Sequence, residues 1–435
     1  MRRLVAMLIL ATPIALAQAP PSTLQLSPQA AYNQAVTPIE ITHRSMVNWS
    51  DIETAALTAA IHQAKEACLA RTSATFSGDD LIAFARLCAL GQQWPTTLTA
   101  ATTYINSADT SKPQLAQAYS FQISANLNLN DEKSALGASI AMLQAIPYGP
   151  LCDEVTTTVI RYLQIAFTSD ALTLHSIRQP ILLRLLKSPQ PPAAIPLHTL
   201  FEHALDFAAL ELYVNQPRLA AGILSDLDAA APSDMAPDDA LPIADARRQY
   251  ALLGTRFPSI PGAINLISAT PTPFNQPNFG SAAIFLLFPP WCAQCLRETQ
   301  EMIPAISRLG SSDVHIYGLL ADNPPPARPQ TPTPPNRARR AVPQTIPDQN
   351  PSSAVASGSP KSPVEQLLGT PTLVVSPSTV TNFAATDFPF LVATDHEGII
   401  RLLLPAAPEN ALTSGGTVDQ IAAHILTEWP PAPQP

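Results

Sequence analysis

The spacing of apolar residues separates a long helical part of the chain from a shorter part with strands. Through residues 46–255, Ala and Leu recur three and four positions apart, the period of a helix that buries one face. This pattern predicts nine successive helices with short connections. They span 78–94, 95–105, 113–129, 131–146, 152–167, 171–186, 197–214, 217–227 and 239–253.

Three of the connections resemble one another, at residues 91–94, 128–131 and 214–217. Recurrent joints between Ala- and Leu-rich helices are typical of stacked helical hairpins of the tetratricopeptide kind. Such arrays present a surface to a protein partner or to a second copy of the chain. The alternative is a helical domain that only packs against the rest of the chain.

Residues 256–429 alternate between strand-like and helical segments. The apolar runs Ala282–Phe288 and Val314–Ala321 predict two core strands. A hairpin is predicted at 390–404, with its turn at Gly398, because Gly readily adopts a positive φ. A closing helix is predicted at 417–429. The predicted fold class is therefore multidomain, an all-α helical-hairpin array followed by an α/β domain.

A C-x-x-C pair, Cys292 and Cys295, follows the first of these strands and two prolines, and a helical pattern comes after it. At a strand-to-helix junction, unpaired backbone N–H groups and the helix dipole stabilise a thiolate. Cys292 is therefore the predicted nucleophile, and Cys295 is placed to resolve a mixed disulfide. Half a zinc site is the alternative, but Cys68, Cys88 and Cys152 lie far upstream and supply no second pair, so no metal is predicted.

The run WCAQCLRE, from Trp291 to Glu298, resembles the W-C-x-P-C-x-x-E signature of TlpA-like thioredoxins, the extracytoplasmic thiol–disulfide oxidoreductases. The resemblance covers about the last 170 residues, the scale of one domain with an insertion. It implies a thioredoxin-like fold, substrate contact near Trp291 and proton transfer by Glu298, without a metal or organic cofactor. The alternative for Glu298 is an acid that interacts with a helix dipole. The implied partners are protein or peptide thiols and disulfides and a redox partner protein.

The same resemblance assigns the family's cis-proline to Pro389, with Phe388 beside it at the substrate contact. Pro371, which also precedes a strand-like run, is the competing position. Pro389 is preferred because the predicted hairpin and closing helix follow it immediately.

Two positions depart from the family pattern. Gln294 replaces the proline between the cysteines, and Leu286 stands where thioredoxins carry a buried aspartate. These departures keep a different class of function open, in which the helical array binds or assembles partners and the thioredoxin-like domain is redox-inactive.

The chain begins with two arginines and a short apolar run, which predict a signal peptide over residues 1–17, cleaved after Ala17. No later run reaches the 20 or so apolar residues of a membrane span. The protein is therefore expected in the periplasm or secreted. An extended leader is predicted at 18–45. A disordered insertion is predicted at 323–363, where Pro, Ser and Thr replace large apolar residues.

The net charge and the remaining cysteines limit the classes of partner and of site further. The net charge of −9 argues against a nucleic-acid partner, because phosphate binding needs a basic face. In an oxidising compartment Cys68 and Cys88 are expected to form a structural disulfide. The alternative is that both are free cysteines that pack as small apolar side chains. Cys152 is expected to be a buried thiol. His198 and Glu202, four residues apart, fit a solvated helix face better than a metal site.

Overall fold

The computed structural model describes residues 26–43, 51–107, 112–188, 195–260, 263–265, 281–290, 292, 295, 314–321, 372–385, 388–404 and 416–430. The chain divides into two compact units, Met1–Ala138 and Ser139–Pro435. The predicted signal peptide, the insertion at 323–363 and the helix after Cys295 lie outside the described residues. The predicted domain limits at 45/46 and 255/256 stay predictions.

The first unit consists of helices, because small apolar residues recur at helical spacing throughout it. They are α1 (Pro28–His43), α2 (Asp51–Leu69), α3 (Asp79–Leu90), α4 (Trp94–Asn106), α5 (Leu115–Asn128) and α6 (Glu132–Ala145), which contains the division between the units.

Helix α1 corrects the prediction of an extended leader at 18–45. Pro28 begins the helix, where a missing N–H costs nothing. Ala31 and Ala35, one turn apart, are at most 4% exposed and pack with Ala64 and Leu87. The polar composition suggested an extended chain, but burial of this narrow apolar face stabilises a helix.

The three recurrent joints share one backbone geometry. Each contains a residue with positive φ, namely Gln92 (55°), Asn130 (56°) and Asn215 (60°). The N–H of the following residue donates to the carbonyl five positions back, as in Gln93 N to Cys88 O at 2.8 Å. The same bond recurs at the second joint (2.9 Å) and at the third (2.8 Å). This is the Schellman termination, which ends one helix and turns the chain into the next.

Helices α2 and α3 are joined covalently and packed closely. A disulfide links Cys68 to Cys88, with their Cα atoms 5.1 Å apart. Just past the end of α3, Gly91 lies so close to α2 that a Cβ there would be 2.5 Å from the backbone N of Lys65. The absence of a side chain at Gly91 therefore permits this approach.

The second unit begins with five helices that match the predicted ones within a few residues. They are α7 (Pro150–Ala166), α8 (Thr168–Leu186), α9 (Leu197–Tyr213), α10 (Pro217–Ala230) and α11 (Pro237–Leu252). A core cluster that includes Leu182, Phe201 and Leu227 packs α8, α9 and α10 together. The helical-hairpin prediction is confirmed, whereas the tetratricopeptide assignment stays a prediction.

The remainder of the second unit is built on a six-stranded mixed sheet. Its strands are β1 (Ile264–Asn265), β2 (Ala282–Phe288), β3 (Val314–Ala321), β4 (Thr372–Val375), β5 (Phe390–Thr394) and β6 (Ile400–Leu404). They lie in the order β1-β4-β3-β2-β5-β6. Strands β2, β3 and β4 are parallel, whereas β1, β5 and β6 each pair antiparallel with a neighbour.

Apolar layers cover both faces of this sheet. On one face, Phe285 stacks on Phe257 with ring centroids 4.1 Å apart, within a large buried cluster. The short helix α12 (Pro377–Asn382) adds Val380 to that cluster. On the other face, α13 (Gly416–Glu428) contacts β2 and α7, and its Ile421 and Ile425 are fully buried.

Side chains connect helices α9 and α11 to the elements that cover the sheet. His424 of α13 stacks on Tyr213 of α9 at 4.0 Å, and its Nε2 lies 2.9 Å from the Tyr213 carbonyl. Gln249 of α11 donates to the carbonyl of Ala384, just after α12, at 2.6 Å. Within the described part of the chain, no helix is both long and apolar enough to span a bilayer.

The central strand order, with β2 between parallel β3 and antiparallel β5, is that of a thioredoxin-like domain. The predicted fold class is therefore confirmed: helical hairpins precede a thioredoxin-like α/β domain.

Candidate active site

The Cys292–Cys295 pair lies at the carboxyl end of β2, a fully buried strand. All seven residues of β2 are buried, since β3 and β5 flank its edges and apolar layers cover its faces. Pro289, which follows, lacks the N–H that would extend the ladder. The N–H of Cys292 donates to the Pro289 carbonyl at 3.2 Å. This turn places Cys292 immediately beyond the sheet.

Cys292 and Cys295 are joined by a disulfide, with their Cα atoms 5.2 Å apart. Cys292 is half-buried, whereas Cys295 is fully buried. The backbone N–H of Cys295 points at Cys292 Sγ, 3.2 Å away. In the reduced protein the same N–H would donate to a thiolate on Cys292, which favours the charged form of that sulfur. Attack at Cys292 and resolution by Cys295 are both compatible with this difference in burial.

Pro389 reaches the same end of the sheet from the neighbouring strand. Phe390 pairs with Leu287, so Pro389 lies level with Phe288, the last residue of β2. The peptide bond between Phe388 and Pro389 is cis. Pro389 is buried and Phe388 is half-buried. Cys292 and Pro389 therefore lie at the same end of the sheet, while their roles in catalysis and docking stay predictions.

A network around Asp395 holds the hairpin that follows Pro389. Its Oδ1 accepts from the N–H groups of Glu397 (2.9 Å) and Ile399 (3.0 Å), and its Oδ2 accepts from Arg401 Nε (2.7 Å). Gly398 completes the turn with φ of 74°. The Arg401 guanidinium lies 3.4 Å from the centroid of the Trp429 ring. The hairpin is thus fixed to the residue that follows α13.

Leu286, at the position where thioredoxins carry an aspartate, pairs with apolar residues on both sides. Leu286 is 1% exposed and pairs with Gly318 on one side and Leu391 on the other. Leu286 supplies no group for proton transfer. Glu298, the predicted proton carrier, lies outside the described residues, as do Trp291, Gln294 and Pro371, so its role stays a prediction.

Two further predicted positions, Cys152 and His198, lie in helices α7 and α9. Cys152 is a free, buried thiol whose pKa burial raises, so it is poorly suited to nucleophilic attack. His198 Nδ1 lies 2.9 Å from Asp239 Oδ1. In the described ranges, no three His, Cys, Asp or Glu side chains are grouped as metal ligands.

Sequence reasoning missed a buried polar network between α7, α8 and α9. Arg178, 1% exposed, donates from Nη2 to Asp153 Oδ1 at 2.5 Å and to Thr157 at 2.9 Å. Its Nε donates to the hydroxyl of Tyr148, which in turn donates to Asp153 at 2.6 Å. His203 Nδ1 lies 3.1 Å from the same carboxylate. No spacing could reveal these partners, because the fold brings them together from three helices.

The network perturbs its titratable groups strongly. Burial alone would raise the pKa of Asp153, but hydrogen bonding and charge from His203, together with Arg178, hold it well below its usual range. Burial lowers the pKa of His175 to about 3, and the charges of Arg178 and His203 act in the same direction. Asp153 is thus ionised and His175 is neutral at physiological pH.

No protein-family model matches the chain, and no curated protein sequence is similar to it. Among solved structures, a thioredoxin-like protein from Bacteroides caccae ATCC 43185 is similar. The two chains share 12% sequence identity with a TM-score of 0.29, over 73% of this chain and 90% of that one. A likeness this distant carries no argument, so the fold assignment rests on the strand order.

Proposed function

We propose that this protein is a thiol–disulfide oxidoreductase that exchanges disulfides with protein or peptide thiols. The observation that carries the proposal is the Cys292–Cys295 disulfide at the end of the central strand, with one sulfur half-buried and the other fully buried. A structural disulfide gains nothing from one accessible sulfur, whereas an exchanging pair requires it.

In the reducing direction, the Cys292 thiolate attacks one sulfur of a client disulfide. A mixed disulfide forms between Cys292 and the client, and the other client sulfur leaves as a thiolate that takes a proton from water. Cys295 then gives its proton to Glu298, and its thiolate attacks Cys292 Sγ. The second client sulfur leaves as a thiolate and takes the proton from Glu298, so the client is reduced to two thiols and the pair becomes a disulfide.

Turnover requires a redox partner of the dithiol class. Such a partner returns two electrons to the Cys292–Cys295 disulfide, through a mixed disulfide on the accessible Cys292. The same steps in reverse oxidise a client dithiol, with an oxidised partner regenerating the pair. Phe388 is half-buried and directly precedes Pro389 at the same end of the sheet. Its side chain contributes to the surface on which the client or the redox partner docks.

The proposed compartment is the periplasm or the extracellular space. The Cys68–Cys88 disulfide supports it, because such bonds persist in oxidising compartments and are rare in the cytosol. The TlpA-like signature around Cys292 supports the same placement, because that family is extracytoplasmic. The tetratricopeptide-like hairpins are proposed to bind a protein partner, supported by their recurrent joints.

The decisive experiment compares insulin reduction by the wild-type protein, Cys292→Ser and Cys295→Ser, with dithiothreitol as electron donor. We expect Cys292→Ser to fall to the uncatalysed rate, since the accessible sulfur is lost. In a separate reaction without dithiothreitol, pre-reduced Cys295→Ser is expected to accumulate a mixed disulfide with insulin, visible on non-reducing gels.

The matched control is the double substitution Cys68→Ala and Cys88→Ala, which removes the other disulfide and is expected to retain turnover. Equal rates for Cys292→Ser and the wild type would exclude the enzymatic function. They would favour the alternative in which the helical array acts as a binding module, for which the apolar Leu286 is the supporting observation.

A further inference from the structure

A cavity of about 390 Å³ lies between the helical layer and the sheet of the second compact unit. Helices α7, α9 and α11 and Leu403 of β6 line it. A smaller space of about 70 Å³ adjoins it, between α7, α8, α9 and β6. Arg161, Asp206 and Leu403 line both parts. Sites for small ligands typically measure roughly 300–1,000 Å³, so the combined space is of suitable size.

The smaller part is predominantly basic. Arg161, Arg178 and Arg401 line it, and Asp206 is the one acidic side chain among its lining residues. Arg178 is already bonded to Asp153, and Arg401 to Asp395. Arg161, which is exposed to the cavity, forms no hydrogen bond or ion pair with any described residue. This part therefore offers a free guanidinium to an anion.

The larger part carries more carboxylates than the smaller one. Glu202, Asp206 and Asp245 line it together with Arg161, His198 and His203, and Asp245 forms an ion pair with Arg248. Asp206 makes no hydrogen bond or ion pair with a described residue, although Arg161 lies close enough to influence its charge. The two opposite charges therefore face one space without neutralising each other by contact.

His175 lines the smaller part and is 2% exposed. Its ring stacks on Phe207 with centroids 5.3 Å apart.

We infer that this cavity binds a short zwitterionic peptide, with its carboxylate toward Arg161 and Arg178 and its ammonium group toward Asp206, which lines both parts. The guanidinium of Arg161 and the carboxylate of Asp206 complement the two ends of such a ligand. The apolar side chains of Ile160 and Leu403 line the space between for a small aliphatic side chain. Binding involves no covalent step and does not depend on the proposed disulfide exchange.

The test uses isothermal titration calorimetry on the full-length protein with three probes: Ala-Ala, N-acetyl-Ala-Ala and Ala-Ala amide. We expect one saturable site for Ala-Ala, with a dissociation constant of about 1 mM or below. Each blocked peptide loses a charged contact and should bind at least about tenfold more weakly. Equal binding of all three peptides, or no saturable binding of Ala-Ala, would overturn the inference.

Substitutions locate the binding. Arg161→Gln and Asp206→Asn, both exposed to the cavity, should each weaken Ala-Ala binding about tenfold or more. The matched controls Arg184→Gln and Asp226→Asn replace exposed residues away from the cavity and should leave binding unchanged. Unchanged binding in both cavity variants, with wild-type circular dichroism, would overturn the site.

Cys292→Ser is expected to bind Ala-Ala like the wild type. This result separates the two proposals, since the disulfide exchange can fail while the peptide site stands. Loss of Ala-Ala binding in a correctly folded Cys292→Ser protein would contradict the independence of the cavity.

Discussion

The two disulfides of this protein have opposite surroundings. Cys68 and Cys88 are at most 1% exposed and lie in an apolar cluster with Phe84. Cys292, in contrast, is half-buried beyond the end of β2. Because exchange requires an attacking thiolate to reach a sulfur, the same bond is protected in one place and available in the other.

The comparison extends to what each bond holds together. The first joins residues 20 positions apart on α2 and α3, whereas the second spans only three positions. A longer closed loop removes more freedom from the unfolded chain, so the first disulfide contributes more to stability. In the second unit, hydrogen bonds of Arg178 connect α7 and α8 instead. The disulfide of that unit does not connect α7 and α8.

The largest predicted difference is the rate of reduction in the folded protein. Dithiothreitol should reduce Cys292–Cys295 at least about 100-fold faster than Cys68–Cys88, since only Cys292 is accessible. Timed reduction, alkylation and peptide mass spectrometry measure both rates. Cys152, a buried free thiol, serves as the internal control for unfolding during the reaction. Similar rates at the two disulfides would remove the contrast.

Much of this contrast could be predicted from sequence, because its determinants are local. The apolar run of β2, the prolines after it and the C-x-x-C spacing lie within 14 residues, so they place Cys292 at a strand end without knowledge of the rest of the fold. Positive φ at Asn130 and Asn215 follows from residues that tolerate it, and the helical hairpins could be predicted from those joints.

What could not be predicted depends on contacts between distant segments. Asp153, Arg178 and His203 belong to three helices, and each alone has the pattern of an ordinary helical residue. Helix α1 was missed because its stabilisation comes from the burial of Ala35 against α2 and α3. Composition records the polar residues of a segment but not the surface that covers its apolar ones.

The second prediction removes the buried disulfide. The double variant Cys68→Ala and Cys88→Ala should lower the free energy of unfolding of the first unit by about 3 kcal/mol, from the entropy of a 20-residue loop. Urea titration followed by hydrogen exchange in α2 and α3 measures it. Exchange in β2 and the rate of insulin reduction should not change. If the double variant also lost insulin reduction, the redox activity would depend on the stability of the first unit, and the two disulfides would not act independently.

The third prediction concerns the loss of stability at low pH, which does not affect a disulfide bond. Burial lowers the pKa of His175 from 6.5 to about 3, so the unfolded chain binds a proton that the folded chain does not. Stability of α7–α9 is therefore complete above pH 6.5 and is lost progressively as the pH falls toward 3, by about 2–3 kcal/mol between pH 6.5 and 4.5. Hydrogen exchange in α8, corrected for intrinsic rates, follows this loss.

His175→Asn should flatten that pH dependence, because the amide does not titrate in this range. The matched control is His62→Asn on α2, whose side chain is 72% exposed and should leave the dependence unchanged. A His175→Asn protein with the wild-type slope would assign the acid sensitivity to another group.

The smallest expected effect comes from Gly91→Ala, which changes the packing near the Cys68–Cys88 disulfide and leaves the bond itself in place. Gly91→Ala places a methyl group 2.5 Å from the backbone N of Lys65, which cannot rotate away as a side chain could. Separation of α2 from the end of α3 should lower the free energy of unfolding by about 1–3 kcal/mol. The matched control is Gly137→Ala in α6, where nothing lies within 4 Å of the new Cβ and the higher helix propensity of Ala should stabilise by about 0.5–1 kcal/mol.

The sign of the Gly91→Ala effect decides how the first unit is held together. If close packing and the disulfide act together, the variant should also make Cys68–Cys88 more reducible, because opened helices expose the sulfurs while Cys292–Cys295 keeps its rate. Timed alkylation of both disulfides measures this in one sample. A neutral Gly91→Ala would mean that the bond alone brings α2 and α3 together, and the protection of its sulfurs would then have to come from the apolar cluster around Phe84.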